Sequence, residues 1–122
     1  MGKWVASQVL DGALAVVGGA SRMVALAGQP ADFSAAEAGK LAEVTLWAGD
    51  FTLGAGAGAG RRLVVGGKSG VAVAVAGTAD HVALVDDANA RLLYVTSCPA
   101  QILSEGGVVN FASWSVEIGA PV

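Results

Sequence analysis

The fold is decided by the stretch HVALVDDANARLLYVT, residues 81–96. Its two ends, residues 81–85 and 91–96, are rich in Val and Leu, and the residues between them are Asp, Asn and Ala. Apolar runs of this length on either side of a short segment with Asp and Asn are typical of two strands joined by a turn. We therefore predict an antiparallel β-hairpin with its turn at residues 86–90.

The residues after the hairpin continue the β pattern. Trp114, Val116 and Ile118 alternate with polar side chains, and this period of two is typical of a half-buried strand. We expect Trp114 to be buried on the apolar face of that strand. Another turn is predicted at residues 105–107, where Glu is followed by two glycines.

Further strands are predicted before the hairpin. Val71, Val73 and Val75 alternate with alanine after a turn at residues 66–70. Shorter apolar runs predict strands at residues 22–27, 43–47, 51–53 and 63–65. Residues 31–43 are expected to form a loop with one helical turn. The Gly-Ala alternation at residues 54–60 predicts a flexible loop; the alternative is a strand whose faces are small enough for another backbone to approach closely.

Residues 4–17 have the period of an amphipathic helix. One stripe at helical spacing consists of Val5, Val9, Ala13 and Val16, with Leu10, Leu14 and Val17 beside it. Gly18 and Gly19 end the pattern. The polar side of the helix is weak, so it can either lie against a partner, with Trp4 as an anchor, or cap an open end of its own sandwich.

The overall pattern predicts a mainly β fold. Short strands with turns at roughly ten-residue spacing are typical of sandwiches, and no alternation of strand and helix follows residue 20. We expect an antiparallel β-sandwich, jelly-roll or Ig-like, with one N-terminal α-helix. The helix and a linker would occupy residues 1–20 and the sandwich residues 21–122, as one structural unit, because 122 residues is the size of one domain.

The chain carries little charge. Charged residues make up 14% of the sequence, against about 25% in ordinary soluble domains, and hydrophobic residues make up 54%. In a small domain much of the exterior must then be Ala, Gly, Val and Thr, and such a surface tends to associate. We expect an oligomer or lattice to cover it. The alternative is a monomer with an alanine-rich surface from a high-GC genome.

The composition also excludes several classes of function. The net charge of −3 argues against nucleic-acid binding, which needs a basic face. The single cysteine, Cys98, allows neither an intrachain disulfide nor a zinc cluster, and it fits a reducing cytoplasm. No apolar segment has the length of a membrane span and no signal-peptide pattern is found, so we expect a soluble protein.

Two glycine motifs fail on spacing. The segment at residues 66–69, Gly-Gly-Lys-Ser, lacks the first glycine of a phosphate-binding loop because residue 62 is Arg, and a predicted strand follows instead of a helix. The Gly-Ala segment has Ala59 where a dinucleotide-binding fingerprint needs its third glycine. Neither segment therefore predicts a nucleotide site.

The reactive side chains lack suitable neighbours in sequence. His81 is the only histidine, and its neighbour Asp80 is expected on the opposite face of the strand, so the two should not form a dyad. Cys98 has no cationic neighbour to activate its thiol, and the acidic pair at residues 86–87 offers too few ligands for calcium. We predict no catalytic, cofactor-binding or metal-binding residues. An enzyme that uses His81 and a carboxylate is the opposing hypothesis.

Five segments resemble small virion structural proteins of tailed bacteriophages, of the capsid-decoration or fibre type. They are residues 3–14, with Lys-Trp-Val and Val-Leu-Asp; 29–30, Gln-Pro; 77–86, where Gly-Thr leads into the histidine strand; 92–95, Leu-Leu-Tyr-Val; and 106–114, a glycine turn before Phe-Ala-Ser-Trp. The resemblance implies a small β-sandwich that packs on a virion, and it carries no catalytic residues. The small size and the lack of a long stalk favour the capsid over the tail.

The sequence thus predicts a capsid decoration (cement) protein that binds and stabilises the outer shell of a virion assembled in the host cytoplasm. Its expected partners are further copies of itself and a major capsid protein, with no nucleic acid and no membrane. The candidate interface residues are Trp4, Val5, Val9, Ala13, His81 and Tyr94. The alternatives are a tail or fibre component that attaches to the host, and a carbohydrate-binding sandwich module whose platform would be Trp47 or Tyr94.

Overall fold

A computed structural model describes residues 3–58 and 60–119; Met1, Gly2, Ala59 and residues 120–122 lie outside the described part. Here the chain forms two α-helices, α1 Ser7–Val17 and α2 Phe33–Gly39, and a 3-10 helix at Ala48–Asp50. The strands are β1 Arg22–Leu26, β2 Lys40–Thr45, β3 Phe51–Ala55, β4 Arg61–Val65, β5 Lys68–Ala72, β6 Gly77–Asp86, β7 Arg91–Leu103, β8 Val108–Phe111 and β9 Trp114–Ile118. The predicted fold class, mainly β with antiparallel sheets and a helix before the first strand, is confirmed.

The described strands form three antiparallel sheets. The largest has the order β2-β1-β6-β7, and the others are β3-β4-β9 and β5-β8. β6 and β7 form the predicted hairpin, which is paired from Asp86 and Arg91 at the turn to Gly77 and Leu103 at the open end. Buried side chains of the largest sheet share one core with those of β4, β5 and β8, so the two smaller sheets together form the opposite layer.

β1, inside the largest sheet, is buried on both faces, as expected for its continuous apolar run. Met23 and Ala25 point toward the smaller sheets and belong to the core shared with β4 and β8. Val24 and Leu26 point to the other face and cluster with Ala83 of β6. α2 lies against β1 and β7.

α1 begins at Ser7 and not at residue 4 as predicted. A start at residue 4 would place Lys3 at the N-cap, where a cation meets the positive end of the helix dipole. The N-cap is instead Ala6, whose backbone is extended with φ −67° and ψ 143°. The predicted end of the helix before Gly18 is confirmed.

The loop predicted at residues 31–43 is wrong in most of its length. α2 occupies Phe33–Gly39, and Oδ1 of Asp32 caps it by accepting a 2.8 Å hydrogen bond from Ala35 N. β2 starts at Lys40, earlier than the strand predicted at residues 43–47. The reason is its antiparallel pairing with β1, which runs from Lys40 opposite Leu26 to Thr45 opposite Arg22.

Two predicted turns are partly strand. β5 begins at Lys68, inside the turn predicted at residues 66–70, because Lys68 pairs with Phe111 of β8. In the Gly-Ala segment, residues 54–55 end β3 and pair with β4. The remainder closes a loop in which Gly56 N donates a 3.1 Å hydrogen bond to Gly60 O. Both differences come from pairing with strands distant in sequence, which local turn residues do not predict.

Candidate functional site

The outer surface of the described chain carries large apolar side chains. Eight of them are exposed: Trp4, Val9, Val16, Trp47, Leu53, Val75, Ile102 and Val108. Single exposed apolar residues are ordinary, whereas groups of them mark interaction surfaces. The positions of these side chains in the fold therefore decide whether any of them form an interaction surface.

The helix α1 carries the most regular group. Val9, Ala13 and Val16 follow one another at helical spacing and are all exposed; they are called the α1 stripe below. Val5 precedes the stripe and is half-buried. The opposite side of α1 is used inside the protein, because Leu14 is fully buried in a cluster with side chains of β4 and β9. One side of the helix thus caps the sandwich, as one of the two alternatives predicted, and the other side faces solvent. That this exposed side lies against a partner stays a prediction.

Trp4 extends this surface beyond the helix. Its side chain is 84% exposed and lies in the segment before α1. An indole needs a large apolar contact to be removed from water, and Trp4 has little such contact with the described residues. That Trp4 belongs to an interface stays a prediction.

Trp47 is the second exposed indole, at 70%, and it lies on a braced turn. Its backbone N donates a 2.7 Å hydrogen bond to Oδ2 of Asp50, and Oδ1 of the same carboxylate lies 2.8 Å from Nζ of Lys68. The hydrogen bond from Lys68, followed by that from Trp47 N, holds the pKa of Asp50 below its ordinary value. Trp47 is therefore presented to solvent on a fixed backbone.

Tyr94 lies away from the exposed surface. Its half-buried ring packs between the layers, with its centroid 5.9 Å from that of Trp114. Trp114 is half-buried and packs against the core, on the predicted apolar face of β9. Its Nε1 is buried and has no hydrogen-bond partner among the described residues. Tyr94 is thus an interlayer residue, unlike the exposed candidates Trp4, Val9 and Ala13.

His81 and Asp80 correct the expectation that neighbouring strand residues cannot meet. Oδ1 of Asp80 lies 2.7 Å from Nδ1 of His81. The pairing of β6 with β7 shifts register between Ala79 and His81, so Asp80 departs from the regular alternation of faces. His81 and the backbone N of Gly28, which donates to Asp80 at 2.7 Å, lower the pKa of Asp80.

The Asp80–His81 pair does not form part of a triad in the described chain. Ser97 is opposite His81 on β7, but no hydroxyl hydrogen-bonds to the histidine ring. A nucleophile activated by a histidine needs such a bond. The Asp80 carboxylate is also engaged by the backbone of Gly28, which makes it a tie between β6 and the end of β1.

A cavity of about 440 Å³ opens between the two layers beside β7. Its floor includes Ala25 and Val82 of the largest sheet, and the opposite wall includes Phe111 and Trp114. None of the residues that line it is an acid, a lysine, an arginine or a histidine. Cys98 lines one side, where burial, followed by the nearby charge of Asp80, raises the pKa of its thiol. The cavity therefore suits a neutral, largely apolar group.

The strand that borders the cavity lies at a sheet edge. β7 pairs with β6 and with no other described strand. Residues 92–103 contain no charged side chain, although natural edge strands usually carry charge to prevent pairing with other chains. Two other features protect part of this segment: Pro99 lacks a backbone N–H, and the pairing with β6 shifts register between Ser97 and Gln101. Neither the cavity nor this edge was predicted from the sequence, and the uncharged run was the signal that could have indicated the edge.

A separate charged cluster ties α2, β1 and β2 together. Nε of Arg22 lies 2.9 Å from Asp87, and the guanidinium also contacts Glu37 and Glu43. The hydrogen bond from Arg22 lowers the pKa of Asp87 to about 2, and the hydrogen bond with Asp87 is the main cause that raises the pKa of Arg22. Nζ of Lys40 binds Glu43 at 2.8 Å. Two cations are shared among three carboxylates, so the cluster holds these elements together by ion pairs.

No group of three or more acidic, histidine or cysteine side chains suited to a metal ion occurs within residues 3–58 and 60–119. None of the helices in that part of the chain is both long and apolar enough to cross a bilayer. The apolar surface on α1 with Trp4, the exposed indole of Trp47 and the interlayer cavity are the features of the described chain that offer apolar contacts. Comparison with models of protein families, with curated proteins and with solved structures finds no match to this chain.

Proposed function

We propose that this chain is a structural subunit of a larger assembly, and specifically a decoration (cement) protein on the outer face of a tailed-bacteriophage capsid. The observation that carries the proposal is the α1 stripe together with Trp4, an exposed apolar surface on a helix whose other side is anchored in the core. A rigidly presented apolar surface is suited to burial against copies of a repeating partner. The low charge of the chain supports the same role.

The test is the copy number in particles of the source phage. Quantitative mass spectrometry of purified virions should find the chain in a number comparable with that of the major shell protein. A tail or fibre component, which is the alternative in the same class, would occur at a small fraction of that number. Absence of the chain from purified virions contradicts both.

The surface is tested with matched variants. Val9→Asp combined with Val16→Lys leaves the net charge unchanged and should abolish binding to shells from which the protein has been stripped. Ser34→Asp combined with Ala38→Lys makes the same charge change on exposed positions of α2 and should leave binding intact. Binding that survives the α1 change and fails after the α2 change would place the contact on the other side of the molecule.

A carbohydrate-binding module is the candidate from another class, and the exposed indole of Trp47 favours it. Aromatic rings on fixed turns stack well on the apolar faces of sugars. A glycan array with the wild-type chain and with Trp47→Ala tests it. Binding that is lost in the variant supports the module, and a uniformly negative array removes it.

A further inference from the structure

We propose that copies of this chain join by exchange of the segment 3–6, which lies along β7 of a second copy and inserts the indole of Trp4 into the cavity between that copy's layers. The inference rests on the proposed function, because it names the contact by which subunits of the assembly would associate. It is carried by three features of the described residues: an exposed indole, a largely apolar cavity with no charged lining residue, and an uncharged strand edge.

The cavity and the indole match in size and chemistry. Pockets that hold small organic groups measure roughly 300–1,000 Å³, and this one is about 440 Å³. The rings of Phe111 and Trp114 line it and offer aromatic faces to a third ring. Val82 and Ala25 supply an apolar floor. An inserted indole would therefore exchange water for aromatic and aliphatic contacts.

The charge pattern of the segment fits the same placement. Side chains alternate between faces in an extended strand, so Trp4 and Ala6 would point one way and Lys3 and Val5 the other. With Trp4 in the cavity, the ammonium of Lys3 points away from a lining that contains no charged residue. Ala6 has extended backbone angles, as an added strand requires.

The edge of β7 supplies the backbone partners. A strand at the edge of a sheet presents unpaired N–H and C=O groups that can pair with an added strand. Residues 96–98 of β7 lie both on this edge and in the lining of the cavity. A segment paired there would place one of its side chains directly over the opening.

The contact requires a second copy. Within its own chain Trp4 is 84% exposed, so the cavity of that chain is not occupied by its own indole. The segment and the cavity are different surfaces, which makes the contact heterologous: each copy gives an indole to one neighbour and can receive one from another.

Sedimentation velocity over a range of concentrations gives the first test. The wild type should self-associate, and Trp4→Ala should weaken the association constant by at least about tenfold, as expected for a central indole anchor. Trp47→Ala is the matched control, since it removes an indole of similar exposure elsewhere, and it should leave association unchanged. Circular dichroism confirms that each variant is folded.

Complementation of two defective variants gives the decisive test. Ala112→Trp fills the mouth of the cavity from an exposed position, and Ser115→Arg, also exposed, places a charge at the cavity in an independent variant. Each alone should associate at least about tenfold more weakly than the wild type, as should Trp4→Ala. A mixture of Trp4→Ala with either cavity variant should form heterodimers, because one component keeps the indole and the other keeps the open cavity.

The proposal is overturned if Trp4→Ala and Trp47→Ala associate equally, if the mixtures stay monomeric, or if the wild type is monomeric at all concentrations. These outcomes are separable from failure of the proposed function. A monomeric wild type that still binds stripped shells removes the exchange and keeps the decoration role. If the variants complement each other but the chain is absent from purified virions, the exchange is kept and the decoration role is removed.

Discussion

Nε of Arg61 on β4 donates a 2.6 Å hydrogen bond to Oδ1 of Asp11 on α1. The pair lies beside the small core that Leu14 of the helix forms with Leu63 and Val116 of the sheet. A polar contact next to a buried leucine fixes the rotation of the helix about its axis. That rotation decides which residues of α1 meet solvent, and so it creates the α1 stripe.

Leu14→Ala should destabilise the folded chain by about 2–5 kcal/mol, because it removes a fully buried side chain and leaves a cavity beside β4 and β9. Val9→Ala on the exposed side of the same helix should change stability by less than about 0.5 kcal/mol. Urea unfolding followed by circular dichroism measures both. Equal losses would mean that the helix is not oriented as described.

Trp114→Ala should cost about 3 kcal/mol, at the lower end of the range for a large aromatic residue, since the side chain is only half-buried. The loss comes from its contacts with Tyr94 and with two core clusters, the one between the layers and the one that includes Leu14 of α1. Trp47→Ala serves as the control and should cost less than about 0.5 kcal/mol. A loss below about 1 kcal/mol for Trp114→Ala would show that β9 presents its other face to the core.

Two glycines should respond to alanine in opposite directions. A Cβ on Gly67 would lie 2.9 Å from the carbonyl O of Phe111 and 3.2 Å from Ser113 N, so Gly67→Ala must push the β8–β9 turn aside and destabilise the chain. Gly12, inside α1, has no heavy atom within 4 Å of such a Cβ, and Gly12→Ala should stabilise the helix by about 1 kcal/mol. Thermal unfolding of both variants checks the contrast; a stabilised Gly67→Ala would contradict the close approach.

Acid should weaken the ion pairs around Arg22. The pKa of Asp87 is about 2 in the folded chain, below the ordinary value of 3.8, so the folded state binds this proton less readily than the unfolded state. The contribution of the Asp87 carboxylate to the free energy of unfolding is therefore complete above about pH 4 and is lost as the pH falls toward 2. Because the Asp87 side chain is 43% exposed, screening reduces that contribution to about 1 kcal/mol.

The comparison of wild type with Asp87→Asn isolates this carboxylate from the other acids. Urea unfolding at a series of pH values should show a difference of about 1 kcal/mol near pH 6 that shrinks toward zero at pH 2. A difference that is independent of pH would mean that Asp87 stabilises the chain without its charge.

Local patterns predicted the strands well where pairing is local. The β6–β7 hairpin and the alternation in β9 follow from residues close in sequence, and both are found in the structure. The length of α2 was underestimated because its helical pattern is short and lies next to Gly39. Asp32 before an alanine-rich run was nevertheless an available N-cap signal.

The features that depend on long-range register could not be predicted. The hydrogen bond between Asp80 and His81 requires a shift in the pairing of β6 with β7, and the cavity requires the separation of two layers that meet through residues far apart in sequence. Periodicity tells which face of a strand is apolar, but it does not tell how closely two apolar faces approach. The start of α1 at Ser7, which leaves Trp4 outside the helix, was not predicted from the pattern of residues 4–17.

The 5.9 Å separation of the Tyr94 and Trp114 rings has an optical consequence. Tyr94 is the only tyrosine of the chain, so light that tyrosine absorbs in the folded protein passes by resonance transfer to an indole. Tyrosine fluorescence should be quenched while the two layers are packed together and should appear when they separate. Excitation of the wild type at a wavelength that tyrosine absorbs then reports the separation of the layers through tyrosine emission, without any attached dye. The combined emission of Trp4, Trp47 and Trp114 reports their average exposure to water.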